Sequence, residues 1–232
     1  MRVAVGTSGY AYKEWKGTFY PEKLPQDQML RYYGEQFPTV EVNNTFYRMP
    51  SELVVMNWAS QVPETFQFVL KASQRITHHK RLRDVGEELD YFLKTASVLG
   101  PRLGPTLFQL PPNFKKDLPT LAAFLTLLPQ RWRAALEFRH PSWYDEDVFT
   151  ALRNHGVALC AADTDDEDAR VVVTADWGYL RLRRAPYGEA DLATWAQRVL
   201  AQPWREAFVF FKHEDAGTGP ALARQFLRAC ER

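Results

Sequence analysis

Short apolar or alternating runs recur along this chain, separated by longer stretches whose apolar positions follow helical spacing. The runs Arg2–Gly6, Thr39–Asn43, Phe66–Lys71, Thr106–Leu110, Ala134–Arg139, Val157–Ala162, Tyr179–Arg183 and Phe208–Lys212 are short, aliphatic or aromatic, and bounded by turn-forming residues, and so predict eight strands. The intervening segments 27–36, 51–60, 87–99, 117–128, 145–155, 190–201 and 219–231 predict seven helices, with Ser51 and Asp117 at N-cap positions. This leaves one connection without a helix. Strands alternating with helices predict a parallel sheet of the α/β class, and eight such repeats predict a single (β/α)8 TIM-like barrel over residues 1–232.

Nothing in the chain argues for a second domain. No Gly/Ser linker interrupts it, Pro111-Pro112, Pro141 and Pro203 punctuate turns, and no repeat above the βα unit is visible. The biased tract Asp163-Thr164-Asp165-Asp166-Glu167-Asp168 reads mostly as a solvated loop.

Composition narrows the setting. With 46% hydrophobic and 25% charged residues the chain can build a core, and 29 Lys and Arg against 28 Asp and Glu leave no whole-molecule field for nucleic acid or lipid. Any such attraction must come from a local patch. Two cysteines, Cys160 and Cys230, show no metal-type spacing and suit a reducing compartment. The start Met1-Arg2-Val3-Ala4-Val5-Gly6 reads as a strand, and no run approaches the roughly 20 apolar residues of a membrane span. A cytoplasmic protein without a membrane partner is expected.

Parallel barrels carry their sites where the strands end, and here those positions are polar. Side chains alternate along a strand, so Glu41 and Asn43 share one face, as do Glu137 and Arg139, and Arg181 and Arg183. Ser8 follows the first strand, and Lys71, Gln109, Asp163 and Lys212 close four others. Charges inside a barrel must be paired or reserved for a ligand, since an unpaired one costs several kcal/mol. Two readings therefore stand side by side: a salt-bridge plug of Glu41, Lys71, Glu137 and Arg139, or a site.

The residues at these strand ends resemble the YecE-like proteins, the family called domain of unknown function 72. The stretches that carry the resemblance are Gly6-Thr7-Ser8-Gly9-Tyr10 with Trp15, Gly17 and Phe19-Tyr20-Pro21; Val40 to Tyr47; and Lys71 with Ile76-Thr77-His78. They continue with Gln109-Leu110-Pro111-Pro112, Glu137-Phe138-Arg139-His140 with Ser142-Trp143, and Asp163. The resemblance covers nearly the whole chain and implies a TIM barrel with its site at these strand ends, in a bacterial or archaeal cytoplasm. It implies no reaction. The chain departs from the family pattern at Phe211-Lys212-His213, where many relatives carry Phe-Asn-Asn, and at Arg183, where they carry a histidine.

For chemistry, Glu41 and Glu137 form the leading candidate acid–base pair with Asp163 in reserve, provided their environments separate their pKa values. Ser8, Tyr10, Asn43, Lys71, His78, Gln109, Arg139, His140, Trp143, Arg181 and Lys212 are the candidate substrate contacts. His78, Glu137, His140 and Asp163 are candidate ligands for a divalent metal, although no HExxH-type spacing supports them. No Walker A or GxGxxG motif points to a nucleotide cofactor. The dense positive segment Lys71 to Arg83 could receive phosphate groups, and Tyr10, Tyr12, Trp15, Tyr47, Trp143 and Tyr144 could stack a base or sugar. The leading expectation is an enzyme of phosphoesterase type acting on a phosphate-bearing substrate, a phosphodiester or nucleic acid among them. The alternatives are a non-catalytic protein binding an anionic ligand or nucleic acid, and, more distantly, a carbohydrate hydrolase.

Overall fold

A computed structural model describes residues 1–165 and 169–231. Eight parallel strands, β1 (Arg2–Thr7), β2 (Thr39–Val42), β3 (Gln67–Lys71), β4 (Leu103–Gln109), β5 (Ala134–Glu137), β6 (Ala158–Asp163), β7 (Trp177–Leu182) and β8 (Glu206–Phe211), pair in the order β1-β8-β7-β6-β5-β4-β3-β2. The seam between β1 and β2 is closed by a bridge from Ser8 to Glu41, with the Gly9 amide donating to the Glu41 carbonyl at 2.8 Å. The result is an α/β barrel of the TIM type. Around it lie α1 (Met29–Gln36), α2 (Glu52–Ser60), α3 (Gly86–Ser97), α4 (Leu118–Leu127), α5 (Glu146–Asn154), α6 (Glu189–Leu200) and α7 (Thr218–Cys230).

All seven expected helices form, and the connection without one runs from β6 to β7, where the described residues contain no helix. Asp166, Glu167 and Asp168 of the acidic tract lie outside the described residues. Ser51 and Asp117 both stand at N-cap positions, but only Asp117 accepts a helix amide, that of Thr120. The β4 strand begins three residues before the expected Thr106, because Gly104-Pro105, a turn signal in isolation, is absorbed by a register shift against β3 between Phe68 and Leu70. A bulge accommodates a proline that has no amide to donate. At the other ends, β5 stops at Glu137 and β7 at Leu182, so Arg139 and Arg183 sit just past their strands.

The lower barrel is filled by small residues facing large ones. Ala4, Ala135 and Ala158 on β1, β5 and β6 leave room for Trp177, Tyr179, Phe208 and Phe210 on β7 and β8, with Val69, Leu107 and Cys160 completing the inner cluster. A second apolar layer lies between sheet and helices. Among the described residues, no helix is long and apolar enough to cross a membrane.

The β1–β2 seam needs a glycine. A Cβ on Gly6 would lie 2.1 Å from the Thr39 carbonyl oxygen and 3.0 Å from the Tyr33 hydroxyl. That hydroxyl ties the seam together, accepting from the Thr7 amide at 2.8 Å and donating to the Thr39 carbonyl at 3.1 Å. Gly6→Ala is expected to cost about 1–3 kcal/mol through overpacking against backbone that cannot move aside. A thermal melt should show a drop of roughly 2–4 °C per kcal/mol. An unchanged melt would mean that the seam can open.

Candidate functional site

Strand periodicity delivers most of the expected residues to the barrel mouth. Tyr179 belongs to the inner cluster, so Arg181, two residues on, shares its face and meets the inward carboxylates of β2 and β5. Arg181, Glu41 and Glu137 are all buried. The Arg181 guanidinium donates from Nη2 to Glu41 at 2.8 Å and from Nη1 to Glu137 at 2.7 Å, so one fork joins two carboxylates across the barrel.

Further donors reach both carboxylates. Glu41 accepts from the Ser8 hydroxyl at 2.7 Å, the Tyr179 hydroxyl at 2.6 Å and the Asn43 amide at 3.2 Å, while Glu137 accepts from Arg139 Nε at 2.5 Å. Burial by itself would raise both carboxyls, but the charge of Arg181 and the attached donors override it. Glu41 is lowered, and Glu137 is lowered to about 2. Both are anions at neutral pH. The expected divergence of the two into an acid and a base is not what this environment produces.

Above this layer lies a half-buried rim. Lys71 donates to the Gln109 side-chain oxygen at 2.8 Å and stands 4.1 Å from the centre of the Phe46 ring. Burial and then Arg181 push its ammonium down to about 8. Lys212 continues the inward face of Phe208 and Phe210, with Nζ 3.7 Å from Glu214. Arg183 follows Arg181 on the same face, is half-buried, and has no hydrogen bond or ion pair from its guanidinium among the described residues. Burial and the neighbouring Arg181 lower its pKa. Beside the mouth, Tyr10, Tyr12 and Asn43 help line a cleft of about 210 Å³ between the ends of β1 and β2.

Several expected residues stand elsewhere. Asp163 is three residues from the inward Cys160, so it has the opposite parity and faces the helix layer. There it accepts from the Tyr187 hydroxyl at 2.6 Å, with Arg184 at 3.7 Å, apart from the two glutamates. Trp143 is fully buried, stacked on Phe138 at 4.7 Å and donating its indole N–H to the Phe114 carbonyl at 2.7 Å, so it presents no face to a ligand. Trp15 is likewise buried and donates to the Glu214 carbonyl. His140 bonds through Nδ1 to Ser142 at the start of the turn Pro141–Trp143, and His78 bonds through Nδ1 to Thr77 with its ring on Phe46.

The metal candidates therefore do not converge. Among the described residues, no group of three or more His, Cys, Asp or Glu is arranged to hold a metal ion. The basic segment is also more neutral than its sequence suggests: Arg75 and Lys80 share Glu88, and Arg83 pairs with Asp117. Arg81, Leu82 and Asp84 in that segment adopt left-handed backbone after a π-helical turn at Arg75–His79. A groove of about 640 Å³ runs past Arg81, Arg83, Lys115 and Lys116, and none of the mouth's side chains lines it.

Tyr179 and Phe46 were not among the sequence candidates. Tyr179 was accessible to the same parity that paired Arg181 with Arg183, whereas the place of Phe46 against Lys71 depends on the short turn Asn44–Phe46 and had no sequence signal.

Residues 4–232 match the family described as "Protein of unknown function DUF72". The chain belongs to the DUF72 family. The DUF72 chain is 31% identical to the UPF0759 protein YunF of Bacillus subtilis, covering 97% of this chain and 93% of that one. It is 34% identical over 129 residues to the UPF0759 protein YecE of Escherichia coli; in that comparison the chain spans about half the length of the relative, 47%. Among solved structures, a DUF72 family protein from Thermotoga maritima superposes with a TM-score of 0.87 at 30% identity, covering 100% of both chains. Another from Enterococcus faecalis, at 18% identity and a TM-score of 0.81, covers 99% of this chain and 96% of that one and shares the fold.

Proposed function

We propose that this protein is an enzyme acting on a small phosphate-bearing substrate, whose anionic group is received in the barrel mouth by Arg183, Lys212 and Arg139. The observation that carries this reading is the half-buried Arg183 guanidinium at the rim, which has no hydrogen-bond or ion-pair partner among the described residues. A cation held there among other cations is disfavoured until an anion arrives, and guanidinium groups suit phosphate oxygens in a two-pronged geometry. Glu41 and Glu137 serve as fixed anions that hold Arg181 and orient the layer below. The reaction proceeds in the cytoplasm, where the free thiols of Cys160 and Cys230 persist.

The ion pairing that holds both glutamates as fixed anions favours a second reading, a barrel that binds an anionic ligand without turning it over. The lowering of both carboxyls speaks against carbohydrate hydrolysis, which needs one carboxyl kept protonated near neutrality. Nucleic acid remains an extended version of the phosphate-bearing ligand.

Titration calorimetry with inorganic phosphate tests the anion site. Arg183→Ala is expected to weaken binding by about tenfold or more, with a shallower dependence on salt. Equal affinity in the two proteins would remove Arg183, and with it the reading. Turnover of a panel of phosphomonoesters and phosphodiesters then separates enzyme from binder, absence of any turnover with binding intact favouring the binder.

A further inference from the structure

Lys71 is out of keeping with the charge pairing around it. The two nearby carboxylates, Glu41 and Glu137, are already joined by Arg181, with Arg139 on Glu137, and Lys71 makes no ion pair among the described residues. Its ammonium has instead a neutral amide oxygen, that of Gln109, and the face of Phe46. A half-buried lysine placed for stability would be given a carboxylate. This one is given an apolar wall and cationic neighbours, the arrangement that frees an amine lone pair for nucleophilic attack.

We infer that Lys71 is a nucleophile that forms an imine with an aldehyde or ketone carried by the phosphate-bearing substrate, an inference that rests on the reading of the mouth as an anion site. The unprotonated Nζ forms a bond to the carbonyl carbon while the C=O π pair moves to oxygen, and one proton passes from nitrogen to that oxygen. The resulting carbinolamine hydroxyl takes a proton from solvent and leaves as water, giving a protonated imine. No oxidant or reductant is consumed. The cationic imine draws electrons from the adjacent carbon, which serves proton abstraction or C–C cleavage there.

The groups around Lys71 agree with this role. Arg181 and Arg139 lower its pKa while Glu137 and Glu41 oppose them, and burial is the largest influence of all. With the ammonium pushed down to about 8, on the order of a tenth of the protein carries the free amine at neutral pH. His78, packed on the same Phe46 ring, is held below the ordinary histidine value by burial and then by Lys71, so the imidazole beside the amine is neutral. Arg183 and Lys212, just past the ends of β7 and β8, hold positive charge across the barrel from β3.

Borohydride trapping tests the inference. The folded protein is incubated with dihydroxyacetone phosphate or, separately, with dihydroxyacetone, reduced with sodium borohydride, and the modified lysines are located by peptide mass spectrometry. A reduced adduct at Lys71 is expected, in at least about tenfold preference over any other lysine, dependent on the phosphate group and absent in Lys71→Arg. No adduct at Lys71 in a protein that binds inorganic phosphate overturns the inference and leaves the anion site standing. Labelling spread evenly over the surface lysines overturns it as well. An adduct at Lys71 that forms equally well from dihydroxyacetone, in a protein that does not bind inorganic phosphate, supports the nucleophile and overturns the anion site.

Discussion

Arg181→Met is expected to lose about 3–5 kcal/mol of folding stability, because it leaves buried carboxylates without the charge that compensates them. Glu41 and Glu137 are both fully buried, and Arg181 donates to each at under 3 Å. Against the 5–15 kcal/mol typical of a folded domain, such a loss is a large fraction of the whole. Urea unfolding of the variant and the parent measures it directly. Arg181→Lys should not rescue, since one ammonium cannot fork to two carboxylates as a guanidinium does. Adding Glu41→Gln and Glu137→Gln to Arg181→Met should recover much of the loss, because the uncompensated charges are then gone. If Arg181→Met alone changed stability by less than about 1 kcal/mol, the three residues would not act as one clamp.

That clamp explains why the mouth can hold surplus cations. Two anions buried beneath Lys71, Arg139, Arg183 and Lys212 offset part of the rim's self-repulsion without neutralising it. The glutamates hold Arg181 and Arg139 in place, and on the proposed reading the rim cations above them meet the ligand. Candidate chemistry accordingly moves from the carboxylates, where the sequence suggested it, to the rim.

How far the sequence could reach follows from what each inference required. Strand and helix spacing carried the barrel, and period-two alternation placed Glu41 with Asn43, Glu137 with Arg139 and Arg181 with Arg183, because these relations are local. The meeting of Glu41, Glu137 and Arg181 joins β2, β5 and β7, and no local pattern encodes it. Asp163 was misplaced for want of one reference point: once Cys160 is known to face inward, Asp163 must face outward. Trp143 looked like an aromatic at a strand end, but its indole N–H finds a backbone acceptor in the core, which an isolated residue type does not disclose. The basic segment looked uniformly positive because its partners, Glu88 and Asp117, lie farther along the chain.

Acid should unfold this protein through Glu137 more than through its exposed carboxylates. Burial opposes its ionisation, yet Arg181 and Arg139 hold the folded-state carboxyl at about 2, below the ordinary value near 4.3 that it regains on unfolding. The folded pKa is the lower one, so its contribution is fully present above roughly pH 4.3 and is lost as pH falls toward 2. The size is about 3 kcal/mol at neutral pH. Glu41, lowered for related reasons, adds in the same direction. Unfolding free energy measured in urea from pH 7 down to pH 3 should therefore fall steeply below about pH 4.5. In Glu137→Gln that acid limb should flatten, while stability at pH 7 falls because Arg181 and Arg139 lose a charged partner. An acid limb equally steep in the variant would place the proton uptake elsewhere, and Glu137 would then not carry the strong ion pairing that its contacts with both guanidinium groups imply.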